Sequence, residues 1–337
     1  MPICRERLYF GMQITKTTRR PPANGFEPAW MALYRSGELE QRARIADKHL
    51  ENCDLCAHHC HVNRKQTLDG AACRTGQLAM VNSAGPHHGE EDCLRGWRGS
   101  GAVFFAWCNM RCVFCQNWEI NWKDGGRERT AAELADTMLR LQAMGCHNIN
   151  LVNPSHVVAQ ILAALVIAAD EGLRLPLIYN TSGYDSLEAL KLLDGVVDIY
   201  ISELKYGDTA LARKYSHAPD YVQVSQAALR AMHAQVGDLR TNRDGIAEHG
   251  LMVRHLVLPN GIAGTEQAMR FLAREISTAT YINIMDQYRP AYRTDEHPEL
   301  NRTITRAEYE AAIATARAAG LHRIDRHCSD HWVIRWP

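Results

Sequence analysis

Residues 107–118 read WCNMRCVFCQNW, so Cys108, Cys112 and Cys115 fall within one short Cys-x3-Cys-x2-Cys string. The run just before it, Ala102–Trp107, is apolar and strand-like. Three thiolates at this spacing can wrap one face of an iron–sulfur cubane and ligate three of its four irons. No fourth cysteine follows closely, since Cys146 lies at the end of a predicted helix. An iron without a protein ligand is open to an exchangeable one. The bland alternative is a structural zinc site, which wants a fourth protein donor that is not found nearby.

A second group precedes it. Cys53, Cys56, Cys60 and Cys73 have the spacing Cys-x2-Cys-x3-Cys-x12-Cys, with His58, His59 and His61 interleaved. Four thiolates so spaced suit a closed zinc site or a second iron–sulfur cluster, and the spacing does not choose between them. Either would staple a segment with little apolar core. Cys4, Cys93, Cys146 and Cys328 stand apart and are read as buried or incidental thiols.

After the triplet, apolar runs alternate with helical stretches. Strands are expected at Ala102–Trp107, Ile149–Asn153, Leu175–Asn180, Val196–Ser202, Leu251–Pro259 and Tyr281–Met285. Helices are expected at Thr130–Met144, Pro154–Glu171, Ser186–Leu193, Asp220–Gln235 and Thr265–Ser277. The alternation predicts an α/β chain with a parallel sheet: a partial (β/α)6 barrel, or, on pattern alone, a doubly wound open sheet. Residues 101–337 would form that barrel. Residues 1–100 would form an extension containing a helix and the cysteine-rich segment. Within the extension, residues 1 to about 30 read as a tail or irregular wrap, and Ser36 opens the helical string SGELEQRARIADKHL. Thr75–Ser100 reads as a Gly-rich connection, with the string His87-His88-Gly89-Glu90-Glu91 as a solvated loop or an acidic edge of the mouth.

In barrels, functional residues gather where strands end. Polar groups follow or end each later strand: Asn153 and Ser155, Asn180 and Ser182, Glu203 and Lys205, Arg254, and Gln287.

The triplet, with Phe114 just before its last cysteine, resembles the signature of the radical S-adenosylmethionine (SAM) superfamily. The strings GSGAVFF, CNMRCVFCQNWEI, LVNPSH, YNTSGY, RHLVLPN and INIMDQYRPAY further resemble a longer subgroup of the pyruvate formate-lyase activating enzyme family. That likeness runs from about residue 33 to the C-terminus. It implies a [4Fe–4S] cluster on Cys108, Cys112 and Cys115 whose open iron chelates SAM. It also implies reductive cleavage of SAM and hydrogen abstraction from a protein, peptide or small-molecule substrate. Phe114 would lie against adenine and the backbone near Asn117 would hold the nucleoside. Asn153 and Ser155 would stand near the methionine amino group, Lys205 and Arg254 at its carboxylate, and Asn180 and Ser182 along the methionyl side. Glu203 and Gln287 complete the expected cofactor-binding set. The resemblance implies an electron donor such as flavodoxin or ferredoxin. Two departures weaken the transfer of a substrate: Asn-Pro-Ser replaces the family's Gly-Gly-Glu turn, and Glu203-Leu204-Lys205 replaces its Asp-x-Lys. Installing a glycyl radical on a partner enzyme, a non-catalytic metal-binding role, and radical-free methyl transfer from SAM are the rival readings.

Lys plus Arg equals Asp plus Glu, giving a formal net charge of zero. That balance offers no reason to expect nucleic acid or an anionic membrane as partner. The longest apolar stretch, Ile161–Ala169, is too short to span a bilayer, and the first residues contain no leader pattern. A cytoplasmic location follows as the expectation.

Overall fold

The computed structural model describes residues 26–123 and 125–325. Most of the expected N-terminal tail, with Cys4 and Cys328, lies outside them. The elements run α1 (Trp30–Ser36), α2 (Glu38–His49), β1 (Ala79–His87), α3 (Asp92–Arg95), β2 (Ser100–Phe105), α4 (Trp118–Trp122) and β3 (Arg127–Arg129). They continue with α5 (Ala131–Ala143), β4 (Ile149–Val152), α6 (Val158–Asp170), β5 (Leu177–Thr181), α7 (Leu187–Leu193) and β6 (Ile199–Glu203). The rest are α8 (Thr209–Ser216), α9 (Tyr221–Val236), β7 (Arg240–Thr241), β8 (Ala247–Leu256), α10 (Thr265–Phe271), β9 (Tyr281–Met285), α11 (Arg306–Ala318) and β10 (Arg323–Ile324).

The strands β2, β4, β5, β6, β8, β9 and β10 neighbour one another in chain order, and every one of those pairings is parallel. A doubly wound sheet would reverse its strand order partway along. This one never reverses, so the partial-barrel expectation holds. β1 lies antiparallel on β2, and β3 antiparallel on β1. The sheet runs from β3 to β10 and is not closed.

Local chemistry explains the helices. α5 starts with a capping box, in which Thr130 Oγ1 accepts the Glu133 N–H at 3.2 Å and the Glu133 carboxylate accepts the Thr130 N–H at 2.8 Å. It buries Leu134, Ala135, Met138 and Leu141, one helical stripe. α6 is apolar almost all round because α2 and α5 both pack on it. That accounts for the Ile161–Ala169 stretch. No helix among the described residues is long and apolar enough to cross a membrane.

Two expectations differ in part. The helix expected from Ser36 is found as α2, starting at Glu38, but a further helix, α1, precedes it, and Gly37, with a φ of 79°, caps α1 in the left-handed region. Ser36 ends the first helix and does not open the second. The supposed connection from Thr75 to Ser100 contains β1 and α3. β1 is half exposed, and Gly85 and Pro86 near its end mimic a turn signal.

Asp198 fastens the N-terminal helices to the sheet. Its buried carboxylate accepts the Ala29 N–H at 2.7 Å and the Leu177 N–H at 2.8 Å. Asp198→Ala leaves two enclosed N–H donors unpaired and is expected to cost about 2–4 kcal/mol. Urea unfolding monitored by circular dichroism checks this, and a cost below 1 kcal/mol would remove the clasp's importance.

Candidate active site

The parallel strands end on one side of the sheet, and there a cavity of about 360 Å³ opens. Its wall includes all three triplet thiols. The volume is that of a small-molecule site.

The triplet loop is held from outside the sheet. The Val113 N–H donates to Tyr215 O at 2.8 Å and the Arg111 N–H to Ser216 O at 3.2 Å, both at the end of α8. The sulfurs receive donors of their own. Cys108 Sγ accepts the Met110 N–H at 3.4 Å, Cys112 Sγ the Ser216 hydroxyl at 3.0 Å, and Cys115 Sγ the Asn121 amide at 3.4 Å. Burial pushes the Cys108 thiol up to about 12 and Cys115 up to about 11, so neither ionises readily without a bound cation. Among the described residues no three His, Cys, Asp or Glu donors close around one ion. A cubane needs no such convergence, because each sulfur takes a different iron. Three soft donors, each already supplied with a hydrogen bond and sharing one cavity, fit a cluster.

Of the residues selected from sequence, Phe114, Asn117, Asn153, Asn180, Ser182, Glu203, Lys205, Arg254 and Gln287 line this cavity with the triplet. Ser155 does not. It is buried behind the wall, where its hydroxyl lies 2.9 Å from Thr181 Oγ1, which donates to Asp185 at 2.6 Å. Phe114 packs edge-on to Tyr288 and Tyr206, with ring centroids 6.0 and 6.4 Å away. Asn153 sits in the left-handed region at φ 59°, and its amide donates to Asn121 Oδ1 at 3.2 Å. The Ser182 hydroxyl is buried with no hydrogen-bond partner among the described residues. A polar ligand in the cavity would satisfy it.

Lys205 is ion-paired with Glu203. Arg254 is more heavily engaged. Its Nε donates to Glu91 at 2.8 Å, and its Nη2 bridges Glu90 and Glu91. Asn283 donates to Glu91 at 2.7 Å, and Asn150 to Glu90 at 3.2 Å. Burial pushes Glu91 up, but the Arg254 charge and hydrogen bonds outweigh it and hold that carboxyl at about 2. The string containing Glu90 and Glu91 is therefore an acidic wall of the mouth, fixed by a buried cation, and not a solvated loop.

Several residues here escaped the sequence reading. Tyr221, on α9, places its hydroxyl 2.9 Å from the carbonyls of both Ser182 and Glu203 and accepts the Lys205 N–H at 3.0 Å. It ties two strand-end loops together. Asn121 links Cys115 to Asn153. Its position one helical turn beyond Asn117 was the available signal. Asn283 lies within an expected strand and offered none, whereas Thr181 directly follows one, between the selected Asn180 and Ser182.

The cysteines of the N-terminal group sit together beside the triplet loop. Cys53, Cys56 and Cys73 are buried and Cys60 is partly exposed. His58 Nε2 bonds to Asn109 O, Arg111 donates to Ala72 O, and Ala57 packs in the same apolar cluster as Cys108 and Cys112.

The family profile described as the Radical SAM superfamily matches residues 102–236. An uncharacterized protein from Methanocaldococcus jannaschii is 29% identical over 296 residues, covering 85% of this chain and 80% of that protein. Among solved structures, a radical SAM methyltransferase from Sphaerobacter thermophilus is 17% identical with a TM-score of 0.44, covering 65% of this chain and 64% of that one. The FeFe-hydrogenase maturase HydG from Carboxydothermus hydrogenoformans is 12% identical with a TM-score of 0.46, covering 65% and 50% respectively. Methylornithine synthase is 15% identical with a TM-score of 0.44, covering 89% and 76%. This chain thus spans less than two thirds of the methyltransferase and half of the maturase.

Breaking the acidic wall tests its electrostatics. Arg254→Met should cost about 3–5 kcal/mol, because two buried carboxylates lose their cation. Adding Glu91→Gln should recover about 2 kcal/mol or more of that loss in a double-mutant cycle. Because the Glu91 carboxyl is depressed, the pair's contribution is full above the ordinary carboxylate range and is lost only as pH falls through about 2. Denaturant unfolding at pH 7 and near pH 2 reads both effects, and additive single-variant costs would contradict the coupling.

Proposed function

We propose, from the match of residues 102–236 to the Radical SAM superfamily profile, that the cavity beside Cys108, Cys112 and Cys115 cleaves SAM reductively and abstracts hydrogen from a carbon centre of a substrate. That superfamily implies a [4Fe–4S] cluster and SAM. The cluster would supply the electron for reductive cleavage of SAM, and the nucleoside so released would abstract the hydrogen. The carrying observation is that three strand-end thiols share one cavity with polar residues from the following strands, one of them the unsatisfied Ser182 hydroxyl.

The chain's own groups then have definite tasks. Cys108, Cys112 and Cys115 hold the cluster, and Asn121 and Ser216 donate to two of their sulfurs. The Phe114 ring, wedged by Tyr206 and Tyr288, offers a flat wall to adenine, and the backbone at Asn117 holds the nucleoside. Asn153 faces the methionine amino group, and Asn180 and Ser182 its side chain. Lys205, which pairs with one carboxylate where Arg254 is committed to two, is the cation for the methionine carboxylate. Leu256, Met110 and Met285 line the same cavity and keep water from the reacting carbon. Ser155 acts from behind the wall by fixing Thr181.

The substrate is a protein, peptide or small molecule, and the electron comes from a low-potential carrier of the flavodoxin or ferredoxin kind. A second reading, installation of a glycyl radical on a partner enzyme, is favoured by the strings shared with the activating enzyme family, with Glu203-Leu204-Lys205 standing against it.

Anaerobically reconstituted protein given SAM and dithionite should form 5′-deoxyadenosine, and Cys112→Ala should abolish it. S-adenosylhomocysteine as the sole nucleoside product would overturn the reading. Lys205→Met should raise the KM for SAM roughly ten- to hundredfold with a smaller change in kcat. An unchanged KM would remove Lys205 from the carboxylate site.

A further inference from the structure

We propose that Cys53, Cys56, Cys60 and Cys73 hold an iron–sulfur cluster of net negative charge, whose counter-ion is the guanidinium of Arg64; no three of these thiols close around one ion, and a cluster needs no such convergence because each sulfur takes a different iron. This does not rest on SAM chemistry at the triplet.

The evidence begins with the buried cation. Arg64 is 2% exposed, and a guanidinium cannot shed its proton. Its Nε donates to Thr75 O at 2.7 Å and its Nη2 to Gly76 O at 3.2 Å. Those carbonyls satisfy hydrogen bonds but do not cancel a charge. Among the described residues Arg64 has no carboxylate partner, and its Nη1 is directed at Cys53 Sγ, 3.5 Å away. An uncompensated buried charge is costly. Neutral thiols would leave it uncompensated. Four thiolates on a cluster in its oxidised resting state form a doubly negative centre and supply the missing anion.

The backbone is shaped accordingly. His59 and His61 both adopt left-handed conformations, at φ 41° and 54°, on either side of Cys60. The Cys53 carbonyl accepts the His61 N–H at 2.9 Å, and the Cys56 carbonyl accepts the His59 N–H at 3.0 Å. Each such residue stores strain that the surroundings must hold in place. The turns bring Cys60 back over Cys53. Arg74, also left-handed at φ 50°, follows Cys73 directly. Closing this knuckle about a metal would secure three strained turns in a segment with few apolar contacts of its own.

The test separates this site from the triplet. The full chain carrying Cys108→Ala, Cys112→Ala and Cys115→Ala is purified anaerobically and its metal measured. The proposal expects about four irons with acid-labile sulfide per chain. Zinc near stoichiometry in place of iron, or a folded triple variant that holds no iron near stoichiometry even after reconstitution with iron and sulfide, overturns the cluster. In the same background Arg64→Met should release its iron to a chelator at least tenfold faster, and Arg64→Lys, which keeps the charge, should lie between it and Arg64. Equal release from all three would discard the counter-ion assignment. Should Arg64→Met fail to fold, Arg64→Gln, which also removes the charge, takes its place, and release no faster than from Arg64 refutes the role.

Discussion

Parallel pairing in unbroken chain order, from β2 across to β9, is the constraint on which the site depends. Because each strand returns by a helical crossover on the same hand, every strand ends on the same side. Asn153, Asn180, Glu203, Arg254 and Gln287, spread over more than a third of the sequence, are brought to one cavity by register alone. The triplet belongs to the same arrangement, since its loop follows β2 directly. Shifting any one of these strands by a single residue would turn its ligand-facing side chains into the core.

Buried charge is the second organising element. The cavity wall contains Glu90, Glu91 and Arg254 in a network closed by Asn283 and Asn150, and, on the strand beside Arg254, Glu203 paired with Lys205. In a low-dielectric enclosure such networks fix side-chain positions more firmly than packing does, since any departure leaves a charge without its partner. The wall reaches the site from β1's trailing loop, so the residues ahead of the triplet contribute to the same mouth as the strands after it.

How much of this was legible follows from sequence distance. Strand order, and the polar lining residues at the ends of the later strands, could be read because a polar residue that ends an apolar run is a local signal. The triplet was legible from the close spacing of its cysteines. The Arg254 partnership was not, since Glu91 lies 163 residues away and nothing local marks the pair. Ser155 looked like a lining residue because it follows a strand, but the turn at Asn153 rotates it inward towards Thr181. β1 escaped notice because an edge-like, half-exposed strand containing Gly85 and Pro86 shows no clean alternation. Tyr221 and Asn121 act across helix–loop contacts that periodicity does not encode.

The Asp198 clasp has a consequence for how the molecule is assembled in time. Ala29 is anchored to a residue 169 positions later in the chain, at the entrance to β6. The N-terminal helices therefore have no surface to settle on until the middle strands have emerged and paired. These helices emerge before the strands that hold them and are fixed in place late, and the cysteines just behind them wait in the open meanwhile. A synthesis pause after β6, or a chaperone that shelters nascent thiols, would bear on the yield of correctly folded protein more than on the stability of the finished fold.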